Sequence, residues 1–198
     1  MRRHWRRSRV WRLDPRTASR QFTQERRAAE TAPVTGVDAD AFREAAGRFA
    51  TGIVVVSTSL DGVDHAMTVN AFTSVSLDPL LVLFCSEKIA RFHSAVLAAG
   101  SWAVSVLGED AEETSRWLST RGRPLDGQLA GHPHHPGPRT GAPVLDDAIA
   151  SMECRTRDVY DGGDHSIVVG EVISVDTRRP DVGPLVYYNR KYRHLDGG

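Results

Sequence analysis

A run of small polar side chains between two apolar segments is the first part of this sequence that could bind a ligand. Residues 67–79 contain Asn70, several serines and threonines, and a closing Asp-Pro pair. Small side chains let a ligand approach the backbone, and hydroxyl, amide and N–H groups suit phosphate oxygens or the imide edge of a planar heterocycle. The same composition also fits an ordinary polar edge strand. Both interpretations stay open at this point.

A histidine at the start of a strand-like segment is the second candidate. His165 follows the run Asp-Gly-Gly-Asp at residues 161–164, whose glycines accept positive φ and therefore predict a hairpin turn without any function. Imidazole titrates near neutrality and could hydrogen-bond a ligand, with Asp164 orienting the ring. A lone histidine is also common as an ordinary surface or core residue, so the pattern predicts the hairpin and leaves the role of His165 open.

Several other chemistries are disfavoured. His132, His134 and His135 are spread by prolines along a loop without the i, i+4 pairing of a helical metal site, so we predict adventitious binding and no metal site. Cys85 lies in an apolar run, where desolvation disfavours the thiolate, and we predict a core cysteine. The sequence lacks the serine-nucleophile elbow, the phosphate loop and the Rossmann fingerprint, which argues against serine hydrolases, nucleotide hydrolases and Rossmann dehydrogenases.

The charge is divided unevenly along the chain. The 198 residues contain 25 basic and 25 acidic side chains, yet residues 1–30 contain ten arginines and three acidic residues. We predict that residues 1–36 are an arginine-rich extension, either disordered or the product of a start site placed too far upstream, with a partner-binding arm as the alternative. Residues 37–198 then form one folded domain. Because this domain is acidic, nucleic-acid binding would depend on the arm alone and is not expected.

The expected setting is the cytoplasm. No apolar run approaches the roughly 18 residues that a transmembrane helix needs, so no membrane span is predicted. The two cysteines, Cys85 and Cys154, each lie in a strand-like stretch and cannot form a disulfide framework. Both features fit a reducing compartment.

Strands outnumber helices among the elements that must position these residues. A first helix, capped by Asp38 or Asp40, places Phe42 and Phe49 on one face with two alanines, and we predict that this face is buried. The other predicted elements are strands at 53–58, 80–85, 102–107, 149–159, 166–176 and 185–188, and helices at 90–98 and 109–119. Since strands and helices do not alternate regularly, an antiparallel barrel with peripheral helices is favoured. Residues 121–143, rich in proline and glycine, form a long loop that could lie over a site.

Five motifs occur in order along the chain: FREAAGRFATGIVVVST, MTVNAFTSVSLDPLLVLFCSEK, GSWAVSVL, DGGDHSIVVGEV and PLVYYNRKY. Together they resemble the flavin reductase family with the FMN-binding split-barrel fold, over about residues 41–195. The resemblance implies a mainly β, antiparallel, six-stranded Greek-key split barrel with peripheral helices, present as a homodimer. It also implies hydride transfer from NADH or NADPH to FMN or FAD, in the reductase component of a two-component flavin-dependent monooxygenase.

The resemblance also suggests site residues. His165 is the first candidate for nicotinamide contact and hence the catalytic candidate, and Tyr192 and Arg193 are further candidates for the same contact. The candidate flavin-binding residues are Thr68, Val69, Asn70, Ala71, Ser74, Val75, Ser76, Lys88, Arg91, Asp164 and Tyr192. After the strand, where the family places serines or threonines against the flavin phosphate, this chain has Ile89, Ala90 and Phe92. Lys88 and Arg91 are therefore expected to hold the phosphate by charge, and flavin is expected to dissociate readily.

Two functions of other classes compete with this one. A non-catalytic flavin carrier or electron-transfer module would hold flavin tightly and ignore nicotinamide, and the missing phosphate hydroxyls argue mildly against it. A nucleic-acid-associated protein with a degenerate flavin domain would rest on the arginine arm. The choices between NADH and NADPH and between FMN and FAD, and the identity of a partner oxygenase, stay open.

Overall fold

The computed structural model describes residues 36–195. The predicted extension at residues 1–36 lies outside this part except for its last residue. Within the described range the chain forms three helices, α1 (Ala39–Gly47), α2 (Arg91–Ala99) and α3 (Glu112–Ser119). It also forms twelve strands: β1 (Thr51–Gly52), β2 (Val54–Leu60), β3 (Val63–Val69), β4 (Phe72–Leu77), β5 (Leu80–Glu87), β6 (Ser101–Val106), β7 (His134–Pro136), β8 (Pro143–Leu145), β9 (Ala150–Gly162), β10 (His165–Thr177), β11 (Val186–Tyr188) and β12 (Lys191–Arg193).

The main sheet closes on itself through one bent strand. In the described range it has seven antiparallel strands in the order β3, β2, β6, β9, β10, β5, β4. The strands at its two ends, β3 and β4, are separated in the chain only by Asn70 and Ala71, so one extended segment pairs with β2 before this link and with β5 after it. Counting β3 and β4 as one strand gives the predicted six-stranded barrel. The extra strand comes from the interruption at the link.

A fully buried tryptophan occupies the middle of the barrel core. Trp102 of β6 packs edge-on against Phe84 with ring centroids 4.8 Å apart, and its indole N–H donates to the Thr156 hydroxyl at 3.1 Å. Gly170 of β10 leaves room for the indole ring, beside a shift in the pairing register with β9. A second core cluster joins α3 to the C-terminal β11–β12 hairpin: Leu118 is one of its buried members, and Tyr187 and Tyr192 pack against it. These two clusters hold the barrel strands, α3 and the β11–β12 hairpin in place.

Helix α1 does not bury the face that its sequence pattern predicted. Asp38 caps the helix, since its carboxylate accepts hydrogen bonds from the N–H groups of Asp40 at 3.2 Å and Ala41 at 3.3 Å. Phe42 and Phe49 are 65% and 77% exposed, and α1 has no buried residue. The predicted burial is therefore wrong. The spacing of apolar residues shows that one face of a helix is apolar, but it does not show whether another part of the protein packs against that face.

The remaining helices begin and end for local reasons. α2 ends at Gly100, whose φ of 66° is left-handed and whose N–H donates to the Val96 carbonyl at 3.2 Å. α3 begins three residues later than predicted, because Gly108 and Glu109 instead bridge to the segment before β11, with the Glu109 N–H 2.8 Å from the Gly183 carbonyl. Nowhere in residues 36–195 is a helix long and apolar enough to span a membrane.

Candidate cofactor cavity

A cavity of about 600 Å³ opens beside β3 and the first turn of α2. Two walls come from β3 with the β3–β4 link and from the segment that joins β5 to α2. The others come from residues 118–128, which begin in the last turn of α3, and from the start of β10. The volume lies within the roughly 300–1,000 Å³ typical of small-molecule sites. Four separate parts of the chain therefore meet around one ligand-sized space.

The β3–β4 link forms one wall. Thr68, Val69, Asn70 and Ala71 all line the cavity. Asn70 and Ala71 are exposed because the chain has left the ladder with β2 and has not yet joined β5, so the Asn70 amide is open to a ligand. The Thr68 hydroxyl donates to the Ser115 carbonyl at 2.8 Å, which ties this wall to α3. The structure brings these four predicted residues together.

The N-terminal end of α2 forms the facing wall. Its N-cap residue, Ala90, has extended geometry and makes no side-chain cap hydrogen bond, so no side chain covers the positive end of the helix dipole. Ile89, Ala90, Arg91 and Phe92 all line the cavity. The Arg91 guanidinium is exposed and donates to the Arg123 carbonyl. An uncapped helix end beside an arginine is a favourable environment for an anion.

The segment after α3 carries two more arginines into the cavity. The Nη2 group of Arg121 donates to both carboxylate oxygens of Glu87, at 2.7 and 2.8 Å. Arg123 donates to the Thr120 carbonyl at 2.9 Å and to the Ala66 carbonyl. Burial, and then the nearby positive charge of Arg91, lower the pKa of Arg123. This wall is therefore positively charged and partly desolvated.

Gln128 ties the same segment to the outer side of β3. Its amide N–H donates to the Asp64 carbonyl at 2.7 Å, and its amide oxygen lies 3.4 Å from the Ala66 N–H and 3.2 Å from the Arg123 guanidinium. Gln128 is buried, so these backbone groups of β3 depend on it for hydrogen bonds. The loop predicted at residues 121–143 thus covers the strand and lines the cavity with its first part.

Replacing Gln128 with leucine is expected to destabilise the protein by about 2 kcal/mol, because it removes the hydrogen bonds that Gln128 makes with the Asp64 carbonyl and the Ala66 N–H of β3. The melting temperature followed by circular dichroism should fall by roughly 4–8 °C. Asp126→Leu, at an exposed position of the same loop, is the matched control and should change the melting temperature little. An equal loss in both variants would contradict the role given to Gln128.

His165 lies at the mouth of the cavity on the hairpin between β9 and β10. Its Nδ1 atom is 2.7 Å from an oxygen of Asp164, and this hydrogen bond, followed by the charge of His165, lowers the pKa of Asp164. The hairpin is held from the opposite side by Lys88, whose ammonium contacts Asp161 and donates to the Gly163 carbonyl at 2.6 Å. With Nδ1 engaged, the Nε2 atom of His165 is the ring nitrogen left for a ligand.

Other predicted site residues lie outside this cavity. Ser74, Val75 and Ser76 are on β4, which pairs with the first half of β5, whereas the cavity lies at the other end of β5. The Lys88 ammonium faces the hairpin, and Asp164 reaches the cavity only through His165. Tyr192 lines a second cavity and its hydroxyl is 3.0 Å from that of Ser115.

The cavity also contains residues that the sequence did not reveal. His65, Arg121, Arg123 and Gln128 line it without belonging to any local motif. The contact between Gln128 and Ala66 joins positions 62 residues apart, which leaves no trace in local spacing. Burial, and then the charge of Arg91, lower the pKa of His65.

Cys85 lies in the cavity wall and is only half-buried, so its prediction as a core cysteine is wrong. Every second residue of β5 faces the inner core, and Cys85 is one of the alternate residues. Burial raises the pKa of its thiol, so the thiolate is disfavoured there as the sequence predicted.

The three histidines of the 121–143 loop have separate partners. The Nδ1 of His132 is 3.1 Å from the Thr114 hydroxyl, the Nδ1 of His134 is 2.8 Å from the carbonyl of His132, and the Nδ1 of His135 is 2.6 Å from Asp146. No group of three metal-binding side chains occurs within residues 36–195.

Solved structures with the same fold include flavin reductases. The chain is 41% identical to BorF, the flavin reductase component of a bacterial two-component tryptophan halogenase, with a TM-score of 0.75 over 81% of this chain and all of that one. It is 35% identical to an NADH:FAD oxidoreductase of Streptomyces globisporus solved with NAD and FAD fragments, with a TM-score of 0.76 over 80% of this chain and 93% of that one. The fold is thus the split barrel of flavin reductases, as predicted.

The sequence profile of the flavin reductase like domain matches residues 46–196. The chain therefore belongs to the flavin reductase family, and the resemblance seen in the five motifs is confirmed. It is 37% identical over 158 residues to the flavin reductase (NADH) of Kitasatospora aureofaciens, covering 79% of this chain and 81% of that protein. The chain spans only 44% of another relative, named "Probable flavin reductase", of Rhizobium meliloti.

Proposed function

We propose that this protein oxidises NADH or NADPH and passes the hydride to FMN or FAD, supplying reduced flavin to a flavin-dependent monooxygenase. The observation that carries the proposal is the cavity in which the β3–β4 link, the uncapped end of α2 and His165 meet. Relatives support it by name: the match in Rhodococcus jostii, 32% identical over 81% of this chain and 80% of that protein, is a reductase subunit of a flavin-dependent monooxygenase.

The residues of the cavity fit a flavin nucleotide. Met67, Ile89 and Leu125 line the cavity without being buried and contribute apolar surface suited to a planar ring system. The exposed Asn70 amide and neighbouring backbone groups can hydrogen-bond a polar ring edge. The uncapped end of α2 and the guanidinium of Arg91 suit the phosphate. The cavity therefore combines space for a planar ring, hydrogen-bonding groups for the polar edge of that ring, and a binding site for the phosphate.

A flavin held in this cavity would supply the hydride acceptor, and the reduced nicotinamide would supply the hydride. The chain's own residues have to hold the two rings within about 3.5 Å of each other and stabilise the negative charge that develops. Thr68, Val69, Asn70 and Ala71 position the flavin in this proposal. His165 contacts the nicotinamide through Nε2, while Asp164 fixes the orientation of the imidazole through Nδ1.

Lys88 acts at a distance from the flavin in this proposal. Its backbone N–H donates to the Asp164 carbonyl at 3.0 Å and its ammonium holds the other side of the same hairpin. Lys88 therefore keeps His165 at the mouth of the cavity. Arg91 alone holds the flavin phosphate by charge. Ser74, Val75, Ser76 and Tyr192 remain predictions as flavin contacts.

A second copy of this chain is proposed to cover the β4–β5 turn. Val75, Leu77 and Leu80 are 49%, 87% and 50% exposed and lie together at this turn. Adjacent exposed apolar side chains favour association, and two-fold dimers are the commonest assembly of one chain.

A cytoplasmic location is proposed from the two thiols, Cys85 and Cys154, neither of which is in a disulfide.

Replacing His165 with alanine is expected to lower kcat/KM for the reduced nicotinamide about tenfold, a loss of roughly 1.4 kcal/mol of transition-state stabilisation. The dissociation constant for flavin, measured by fluorescence quenching, should change less than about twofold, because the flavin-binding walls lie elsewhere. His194→Ala, at an exposed histidine that does not line the cavity, is the control. Unchanged turnover in His165→Ala would remove His165 from the nicotinamide site.

The proposed activity is tested by the loss of nicotinamide absorbance when the purified protein is mixed with NADH or NADPH and with FMN, FAD or riboflavin. Turnover well above that of free flavin is expected, and the preferred pair identifies both substrates. A folded, flavin-saturated protein without turnover would contradict the reductase and favour a flavin carrier.

A further inference from the structure

A second cavity, of about 680 Å³, lies on the other side of α3 from the cofactor cavity. It is bounded by the outer face of α3 and by the β11–β12 hairpin. Its charged lining residues are Glu112, Arg116, Arg190, Lys191 and Arg193. Only Arg193 among them was a candidate site residue from the sequence, and none of them lines the cofactor cavity.

The lining of this cavity has an excess of uncompensated positive charge. Glu112 and Arg116 neutralise each other, with 2.6 Å between their charged atoms. Arg190, Lys191 and Arg193 make no ion pair with any residue between 36 and 195. Three cations on one short hairpin repel one another, so an anionic ligand would relieve a cost that the free protein carries.

The backbone at Arg190 indicates that its side chain is needed. Asn189 and Arg190 form the two-residue turn between β11 and β12, with φ values of 50° and 61°. Such a turn favours Asn followed by Gly, because a side chain other than Asn or Asp is disfavoured in the left-handed region. Arginine at the second position costs backbone energy that glycine would avoid. The turn instead places a guanidinium at the wall of the cavity.

The two cavities are neighbours. Ser119 and Thr120, at the end of α3, line both of them. Leu118 faces the cofactor cavity and Arg116 faces the basic one, so a single turn of α3 separates the two spaces. A ligand with its redox-active ring in the first cavity can therefore extend past Ser119 and Thr120 into the second.

Tyr192 lines the basic cavity and is held in place by several contacts. Its ring lies 4.5 Å below the Arg116 guanidinium and 5.6 Å from the ring of Tyr187. Its hydroxyl is 3.0 Å from that of Ser115, whose carbonyl accepts the Thr68 hydroxyl from the first cavity. Because the Arg116 guanidinium covers this ring face, a planar base would stack on the guanidinium, and the other cations suit phosphate groups.

We infer that this basic cavity binds the adenosine-phosphate half of a dinucleotide whose redox-active ring occupies the cofactor cavity, with Arg190 contacting a phosphate group. The inference rests on the proposed function for the placement of the ring. The same chemistry is offered by the adenylate of FAD and by the phosphates of NADH or NADPH. Steady-state KM values for FAD, FMN, NADH and NADPH separate these sources.

The test compares the wild-type chain with Arg190→Gly and with the matched control Asn189→Gly. Both substitutions place glycine at a left-handed position of the same turn, but only the first removes a charge. Binding of ADP and of adenosine 2′,5′-bisphosphate, measured by isothermal titration calorimetry, requires no turnover. Arg190→Gly should weaken binding of one or both about three- to tenfold, while Asn189→Gly should leave it unchanged within about twofold.

Thermal unfolding excludes a merely structural explanation. Since glycine relieves the left-handed backbone, the melting temperature of Arg190→Gly should stay level or rise by about 2 °C even as binding weakens. Steady-state KM values identify the source of the phosphate: a rise for FAD but not FMN indicates the flavin adenylate, and a rise for NADPH or NADH at saturating FMN indicates the reductant.

Two results would overturn the inference. One is wild-type protein that binds neither ADP nor the bisphosphate, and the other is Arg190→Gly protein that binds both as well as wild type does. Either result together with normal FMN reduction would leave the proposed reductase intact. If the wild-type protein shows no flavin reduction but binds ADP or the bisphosphate in a way that depends on Arg190, the proposed reductase is refuted and the adenosine-phosphate site is retained.

Discussion

Replacing Ala90 with aspartate is expected to weaken FMN binding about 30-fold. The N-cap position of α2 lacks a capping side chain and faces the cofactor cavity beside Arg91. A carboxylate there would occupy the helix end that the phosphate is proposed to use and would repel it, at a cost of roughly 2 kcal/mol in this partly exposed setting. The same carboxylate caps the helix and should stabilise the ligand-free protein by about 1 kcal/mol.

Riboflavin and a second variant serve as controls for this prediction. Riboflavin has no phosphate, so its dissociation constant should be almost equal in the wild type and in Ala90→Asp. Ala90→Ser adds a neutral hydroxyl at the position where this chain departs from the family pattern, and FMN binding should tighten about fivefold. Fluorescence titration measures all five dissociation constants. Equal losses for FMN and riboflavin in Ala90→Asp would place the phosphate elsewhere.

Replacing Gly170 with alanine is expected to destabilise the protein by about 3 kcal/mol. The added Cβ would overlap the Cζ2 atom of Trp102 and lie 2.9 Å from Cη2 of the same ring and 3.1 Å from Cβ of Cys154. The indole cannot move away easily, because it is fully buried, packed against Phe84 and hydrogen-bonded to Thr156. The melting temperature should fall by roughly 6–12 °C.

Gly52→Ala is the matched control for Gly170→Ala. Gly52 is also in a strand and has no positive φ, but a Cβ there would meet nothing within 4 Å. Its melting temperature should change little. A double-mutant cycle with Trp102→Phe, which removes the overlapping ring atoms, should show Gly170→Ala costing much less in that background. Full additivity of the two changes would contradict the steric explanation.

The strands and the binding segment were predictable because their signals are local. The β-branched run after Gly52 and the apolar run ending at Cys85 gave strands close to their observed bounds, since side-chain stiffness and alternation act within a few residues. No strand was predicted at residues 63–66, and for residues 67–79 a polar edge strand was only one of two open interpretations, because small polar side chains suit an edge strand and a ligand-binding segment alike. Pairing with β2 and β5 makes this segment extended, and that pairing is decided by partners distant in the sequence.

The candidate site was predictable only in part. The residues at 68–71, Arg91 and His165 share a cavity, and their family motifs singled them out. Lys88 was predicted at a phosphate, but its ammonium contacts a hairpin more than seventy residues away. Arg123 and Gln128 were not predicted, because a proline- and glycine-rich loop gives no periodic signal for the strand it will cover.

The amino-acid sequence by itself determined the family, the mainly β class and the small polar segment at which β3 and β4 meet. These depend on composition, spacing and motif order, which are properties of the chain before it folds. Only the tertiary structure decided that the uncapped end of α2 faces this segment, that Gln128 completes β3, and that Arg190 faces a second cavity. The physical reason is that hydrogen bonds and charge pairs between distant segments depend on their spatial approach, which local residue patterns do not encode.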